Sequence, residues 1–190
     1  MPPDVLIHPV LAHHDARHLT VYQAYAPAIG EAAARAGTLR VPGFSLARMT
    51  WIKPSFLWMM YRSGWGRKAN QECVLALQLT HEGFADLLRG ATLASFDPAT
   101  HPSREAWQAS LGERPNRVQW DPDKDLHFKP TERRAIQLGI APAFVPRFVD
   151  EMVTELRDVT PLAHEVEALV RAGDLDAARA RLPVETEYAV

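Results

Sequence analysis

The segment Met49–Trp65, MTWIKPSFLWMMYRSGW, sets Lys53, Ser55, Tyr61 and Arg62 into an apolar run that holds three of the chain's five tryptophans. Burying an unpaired ion costs several kcal/mol, so ordinary core segments keep charge out. Flat aromatic faces beside a few fixed cations are how a pocket wall holds an aromatic, anionic small molecule such as a nucleotide. In that reading Trp51, Trp58 or Trp65 stacks on a ring, and Lys53 and Arg62 hold phosphates. Ser55 and Tyr61 supply hydroxyls. The competing reading is a core helix with snorkelling ends.

Three further stretches carry polar groups where a strand pattern wants apolar ones. VYQAY puts Gln23 between Tyr22 and Tyr25, where its amide needs partners or clamps an amide-bearing ring. RVQWDPDKD sends Val118 and Trp120 to one face and Arg117, Gln119 and Asp121 to the other. Asp121 then ends a strand before a proline-fixed turn. It either steadies a developing cation or merely initiates that turn. RAIQLGI repeats the question with Gln137. Asp121, Gln137 and Gln23 are therefore the candidate catalytic groups. Tyr22, Gln23, Tyr25, Trp51, Lys53, Ser55, Tyr61, Arg62 and Gln119 are the candidate ligand-binding groups.

Other chemistries are poorly served. His8, His13, His14 and His18 cluster near Asp15, but no helical HxxxH or HExxH spacing organises them. A solvated arm is favoured over a metal site, and no metal is expected. The lone Cys73 sits inside a strand pattern, so it reads as an inert buried thiol and not as a nucleophile. Neither GxSxG, a P-loop nor GxGxxG occurs.

The elements that must position these groups follow from periodicity and punctuation. His18–Tyr25 is β-branched and aromatic and reads as a strand. Pro27 opens an Ala-rich helix that Gly37 stops. Arg48–Lys53 reads as a strand, and Pro54 begins a helix through Tyr61 or Arg62, ended by Gly64. Glu72–Thr80 is apolar on both faces, as a central strand is. Thr80 caps a helix over Glu82–Arg89. Residues 94–116 form a long excursion with a helix around Trp107. Arg117–Trp120 and Arg134–Ile140 are strands separated by a charged loop, Asp121–Pro130. Pro146–Arg157 carries Phe148, Val149, Met152, Val153 and Leu156 at helical spacing. Thr160-Pro161 caps and opens a helix to Ala172, and Asp174–Leu182 follows as another. LVRAGDLDAARARLP occurs once, so a helical hairpin is expected and not a solenoid.

The chain's 190 residues suffice for one domain: an irregular arm (1–18), a sheet-containing core (19–140) and C-terminal helices (141–190). The fold class is α+β, a small mixed or antiparallel sheet flanked by helices with a helical C-terminus. Hydrophobic content of 47% and charged content of 23% are those of a soluble globular protein. A net charge of −2 supplies no global basic field for nucleic acid. One cysteine excludes an internal disulfide framework and a Cys-based zinc site. No signal peptide and no apolar run long enough to span a bilayer is apparent. A cytoplasmic location, with no membrane partner, is the expectation.

VYQAY, MTWIKPSFLWMMYRSGW, VQWDPDKD and RAIQLGI, in this order over roughly residues 15–160, resemble the family called Domain of Unknown Function 4291. More distantly, the order of elements is similar to small ADP-ribosyltransferase-like folds. That likeness implies a sheet-based core, NAD as substrate and cleavage of the nicotinamide–ribose bond. The acceptor would be a protein or a nucleic acid. It sets Gln23 where that superfamily carries His or Arg on its first strand. Lys53 and Ser55 stand near its second-strand position, and Asp121 or Gln137 stands in for its late Glu. Arg62 would supply the cation for pyrophosphate. The alternative is a non-catalytic nucleotide or nucleic-acid binding module built on the same Trp, Lys and Arg wall. A third is an aromatic interface between copies of the chain.

Overall fold

Strand segments that alternate apolar and polar residues pair into three sheets, with helices laid on their apolar faces. A computed structural model describes residues 5–189. In chain order the elements are β1 (Val10–Ala12), β2 (His18–Tyr25), α1 (Pro27–Ala36), β3 (Thr50–Ile52), α2 (Phe56–Ser63) and β4 (Cys73–Thr80). Then come α3 (His81–Arg89), β5 (Ala91–Leu93), α4 (Arg104–Glu113), β6 (Asn116–Lys124), β7 (Pro130–Ile140) and the short α5 (Val145–Arg147). A π-helical turn, Phe148–Met152, leads into β8 (Val153–Asp158), α6 (Thr160–Ala172), α7 (Leu175–Arg181) and β9 (Thr186–Tyr188). The fold class is α+β, as the pattern implied.

The first sheet runs β2-β4-β8, all antiparallel, with the doubly apolar β4 in the centre. The second runs β3-β7-β6-β5, antiparallel except for the parallel β5–β6 pair. β1 and β9 form a small ribbon. A backbone bridge between Tyr22 and Lys53 joins the first two sheets edge to edge. One core packs Leu19, Val21, Leu75, Leu77 and Leu79 against Phe84, Leu138, Ile140 and Phe148. A second, on the other face of β2 and β4, packs Tyr22 and Val74 against Phe56, Met59, Met60, Trp65, Ala163 and Val166.

Local chemistry sets the helix ends. Pro27 sits in the first turn of α1, and Gly37 takes the left-handed conformation that ends it, with φ 67°. Ser55 caps α2 by accepting from Trp58 N at 3.1 Å, and Gly64 ends it at φ 58°. Thr80 caps α3 by accepting from Gly83 N at 3.0 Å.

Four expectations need correction. Pro146–Arg157 is not one helix: helical turns stop at Met152 and the chain continues as β8. The apolar spacing fits either form, but β4 offers a free ladder edge, and pairing along it satisfies the backbone of both strands. The N-terminal arm is not wholly irregular, because β1 pairs with β9. The Asp121–Pro130 segment is a loop only in its second half. β6 runs on to Lys124 through Pro122, with a register slip between Pro122 and Lys124. Thr160 does not cap α6: its hydroxyl accepts from Val74 N at 2.8 Å, pinning the helix start to β4. Among the described residues no helix is long and apolar enough to cross a membrane.

α1 lies flush on β4 because residue 30 is glycine. A Cβ there would stand 2.4 Å from Cys73 Cβ and 2.5 Å from its sulfur. Gly30→Ala is therefore expected to cost roughly 1–3 kcal/mol by forcing helix and strand apart, read as a lower midpoint in urea at unchanged slope.

Candidate functional site

The β3-β7-β6 register decides which side chains share a face. Trp51 lies opposite Gly139, which lies opposite Arg117; Gln137 faces Gln119; Ala135 faces Asp121. Directly opposed residues of antiparallel strands project to one side. Trp51, Gln137, Gln119 and Asp121 therefore stand on one face, and Lys53 continues it by alternation. The opposite face carries Val118, Ile136, Leu138 and Ile140 into the core. One face of this sheet is thus apolar and packed, and the other is polar and open to a cleft.

The cleft, about 180 Å³, is lined by Gln23 and Tyr25 from β2, Thr50 and Trp51 from β3, Lys53, and Met59 and Arg62 from α2. Five of the expected site residues therefore meet in it: Gln23, Tyr25, Trp51, Lys53 and Arg62; Asp121 lies outside its lining, on the sheet face, and its charge is felt at Lys53. Pockets that take drug-sized ligands measure about 300–1,000 Å³. This cleft accommodates one ring-sized group, and anything larger must extend along the open sheet.

Gln23 is 3% exposed. Its amide nitrogen donates to Thr50 Oγ1 at 2.7 Å and to the Trp51 carbonyl at 3.2 Å. A carbonyl only accepts, so this fixes which end of the amide is nitrogen. The amide oxygen is buried without a partner. An orphaned buried acceptor costs about 1–3 kcal/mol, and a ligand N–H or O–H would recover it.

Lys53 is 8% exposed. Burial, then the neighbouring Arg62, bring its ammonium down to about 8, and Asp121 opposes that fall. Its closest polar contact is the Trp51 carbonyl at 3.5 Å. Among the described residues neither Lys53 nor Arg62 forms an ion pair. Both approach the Trp58 ring, at 5.9 and 6.0 Å from its centroid, the outer limit of cation–π attraction. Two cations share one indole and no hydrogen-bonded carboxylate.

Asp121 is held by two amides. Gln137 Nε2 donates to its Oδ2 at 2.5 Å, and Gln119 Nε2 reaches both oxygens at 3.1 and 3.2 Å. Asp121, Gln119 and Gln137 are thus assembled on the sheet face, while Gln23 bonds to Thr50 and Trp51 instead. Trp51 lies flat over Gly139: a Cβ on residue 139 would meet three indole carbons at 3.0 Å. Thr50 and Gly139 are the site residues that sequence reasoning missed. For Gly139 the signal was its place inside an apolar strand, where glycine marks a close approach.

Three expected residues lie elsewhere. Ser55 is buried away from the cleft, capping α2 and donating to Asp123 Oδ1 at 2.7 Å. Tyr22 packs edge-on against Phe56 at 5.4 Å in the second core. Tyr61 is 40% exposed outside the cleft, with Lys124 Nζ 4.4 Å over its ring. Trp65 stacks on Phe128 in the second core.

Cys73 is a buried free thiol pushed up to about 11, chiefly by burial, and stays protonated at neutral pH. The histidine cluster serves the C-terminal segment: His13 Nδ1 bonds the Val184 carbonyl, and His14 Nε2 bonds the Glu187 carbonyl and the Thr186 hydroxyl. Among the described residues no group of three or more His, Cys, Asp or Glu is arranged to hold a metal ion.

The family model described as Domain of unknown function (DUF4291) matches residues 9–188. The chain belongs to this family. No curated protein and no solved structure matches it. The more distant likeness to ADP-ribosyltransferase-like folds has no counterpart among these findings.

The depressed Lys53 fixes the sign of a pH dependence. Between about 8 and 10.5 the unfolded chain holds a proton that the native state has released. Stability therefore rises with pH across that window. Lys53→Met, which removes the unpaired buried charge, is expected to raise the melting temperature at pH 7 by a few °C, since 1 kcal/mol is about 2–4 °C at this size. The advantage should fade by pH 10.5; calorimetry across pH checks it, and a lower melting temperature at pH 7 would mean that the ammonium is structural.

Proposed function

We propose that the Lys53 cleft takes the nicotinamide–ribose–phosphate part of NAD and that the protein is an ADP-ribosyltransferase-like enzyme. The observation that carries the reading is the pair of unpaired cations, Lys53 and Arg62, beside the orphaned Gln23 oxygen. An anionic group answers the cations, and a carboxamide N–H answers the oxygen. The exposed part of the Trp51 indole offers a face for a ring. Asp121, aligned by two amides, is the carboxylate for a developing positive charge.

In the reaction, the bond from ribose C1′ to the nicotinamide nitrogen breaks. Its electron pair leaves with nicotinamide, which becomes neutral. The ribose acquires oxocarbenium character, which a fixed carboxylate stabilises better than reorienting water does. An acceptor nucleophile then bonds to C1′ and releases a proton. The acceptor class is a protein or a nucleic acid.

One observation favours the non-catalytic alternative. Both Asp121 oxygens already accept hydrogen bonds, and each such bond disperses the charge offered to ribose. A nucleotide or nucleic-acid binding module would use the same cations without bond cleavage.

Nicotinamide release from NAD, followed by chromatography with candidate acceptors present, separates the two. Asp121→Asn should lower turnover at least 100-fold with little change in NAD affinity. Lys53→Met should weaken affinity about 10-fold or more. Wild-type affinity should fall as pH rises through about 8, where Lys53 loses its charge. Binding without release would establish the binding module. Neither binding nor release would end both readings.

A further inference from the structure

A second cavity, about 330 Å³, opens on the face of β2-β4-β8 away from the first core. We propose that it is a separate ligand site for a nucleobase-like heterocycle carrying an acidic group. The proposal does not rest on the reading of the Lys53 cleft.

Ladder register builds its floor. Thr20 lies opposite Gln78, which lies opposite Glu155; one row along, Tyr22, Ala76 and Arg157 align. Small Ala76 leaves a depression between larger neighbours. Val159 and Leu162 on one side and Leu182 and Pro183 on the other form apolar walls. The volume sits at the lower end of the roughly 300–1,000 Å³ typical of small-molecule sites.

Two polar groups on this floor are unspent. Thr20 lines the cavity, and its hydroxyl, which keeps contact with the cavity's solvent, has no hydrogen-bond partner among the described residues. The adjacent Gln78 amide is half-buried and likewise makes no side-chain hydrogen bond among the described residues. An amide offers one donor and one acceptor side by side, which is the complement of a nucleobase edge.

The rim supplies charge and one more acceptor. Arg157 gives Nε and Nη2 to Glu155, at 2.5 and 3.0 Å, leaving Nη1 uncommitted. Arg181 gives Nη2 to Glu165 at 2.7 Å and keeps its other nitrogens. Two guanidiniums thus reach the cavity, each neutralised by one carboxylate, Glu155 or Glu165, and each with N–H donors left over for an anionic group. His13 uses Nδ1 on the Val184 carbonyl, which requires a proton there. In the neutral ring, Nε2 is then an acceptor.

Titration calorimetry of the full chain with AMP, GMP, CMP and UMP tests the proposal. At least one monophosphate should bind. Its affinity should fall about 10-fold or more in Gln78→Leu and Thr20→Val, and become less salt-sensitive in Arg157→Gln. It should be unchanged in Lys53→Met, which separates this site from the other cleft. Thr20→Val should leave the melting temperature level or raised, because the hydroxyl it removes satisfies nothing in the protein. A marked drop in melting temperature would assign the hydroxyl to folding and overturn the proposal. So would the absence of binding by all four monophosphates, or binding that Gln78→Leu leaves intact.

Discussion

Two main-chain hydrogen bonds, Tyr22 N to Lys53 O at 2.8 Å and Lys53 N to Tyr22 O at 3.2 Å, hold the edges of the two larger sheets together. Everything at the Lys53 cleft depends on them. Ladder pairing between the two edges is confined to this one bridge. It fixes Lys53 at the seam, where alternation along β3 puts its side chain on the same face as Trp51. Gln23, one residue past the bridge on β2, reaches across the seam to Thr50 and the Trp51 carbonyl. A buried lysine is thus a consequence of backbone pairing, and the protein retains the charge although a hydrophobic residue would fit the seam more cheaply.

The apolar part of this architecture was legible in the sequence. β2, α1, α2, β4 and α3 lie close to where periodicity, prolines and glycines put them, since each has a local cause that tertiary packing reinforces. β8 was not legible. Phe148, Val149, Met152, Val153 and Leu156 satisfy a helical period, and only the free edge of β4 decides for a strand. Helix-compatible spacing in a short segment cannot report a hydrogen-bonding partner more than seventy residues away. The β1–β9 ribbon escaped for the same reason, since neither three-residue strand has a pattern of its own.

The candidate site was legible as composition and less so as geometry. The Met49–Trp65 motif announced aromatic faces and cations, and Lys53, Arg62 and Trp51 do meet. Ser55 and Tyr61 carry the same chemical promise but are turned away by α2. Its first residue, Phe56, follows immediately after Ser55, so the Ser55 hydroxyl is drawn to the open N–H groups of the first turn. Tyr61 falls on the outer face of the helix. Gly139 shows the reverse case: no chemistry of its own, but the missing side chain lets the Trp51 indole lie on the sheet.

A second cluster of buried charge shows why the Lys53 cleft is the better functional candidate. Asp123 is buried and Glu185 largely so beside Arg133, which lies 3.2 Å from the first and 3.3 Å from the second. Glu185 is pushed up to about 7, mainly by burial and partly by Asp123. Yet these carboxylates are well provided for. Asp123 accepts from Ser55 and from Lys124 N, and Glu185 accepts from Phe56 N at the start of α2. The register slip in β6 releases Asp123 from the ladder and permits this arrangement. The group therefore fastens the C-terminal segment to α2 and β6, and its polar atoms are largely consumed in doing so. Lys53 and the Gln23 oxygen lie in an equally sheltered place with no such partners, and the exposed Arg62 stands at its rim. Burial perturbs both clusters, so a shifted ionisation alone does not distinguish them. What does is whether the protein itself completes the hydrogen bonding, and in the Lys53 cleft the buried Gln23 oxygen is left without a partner.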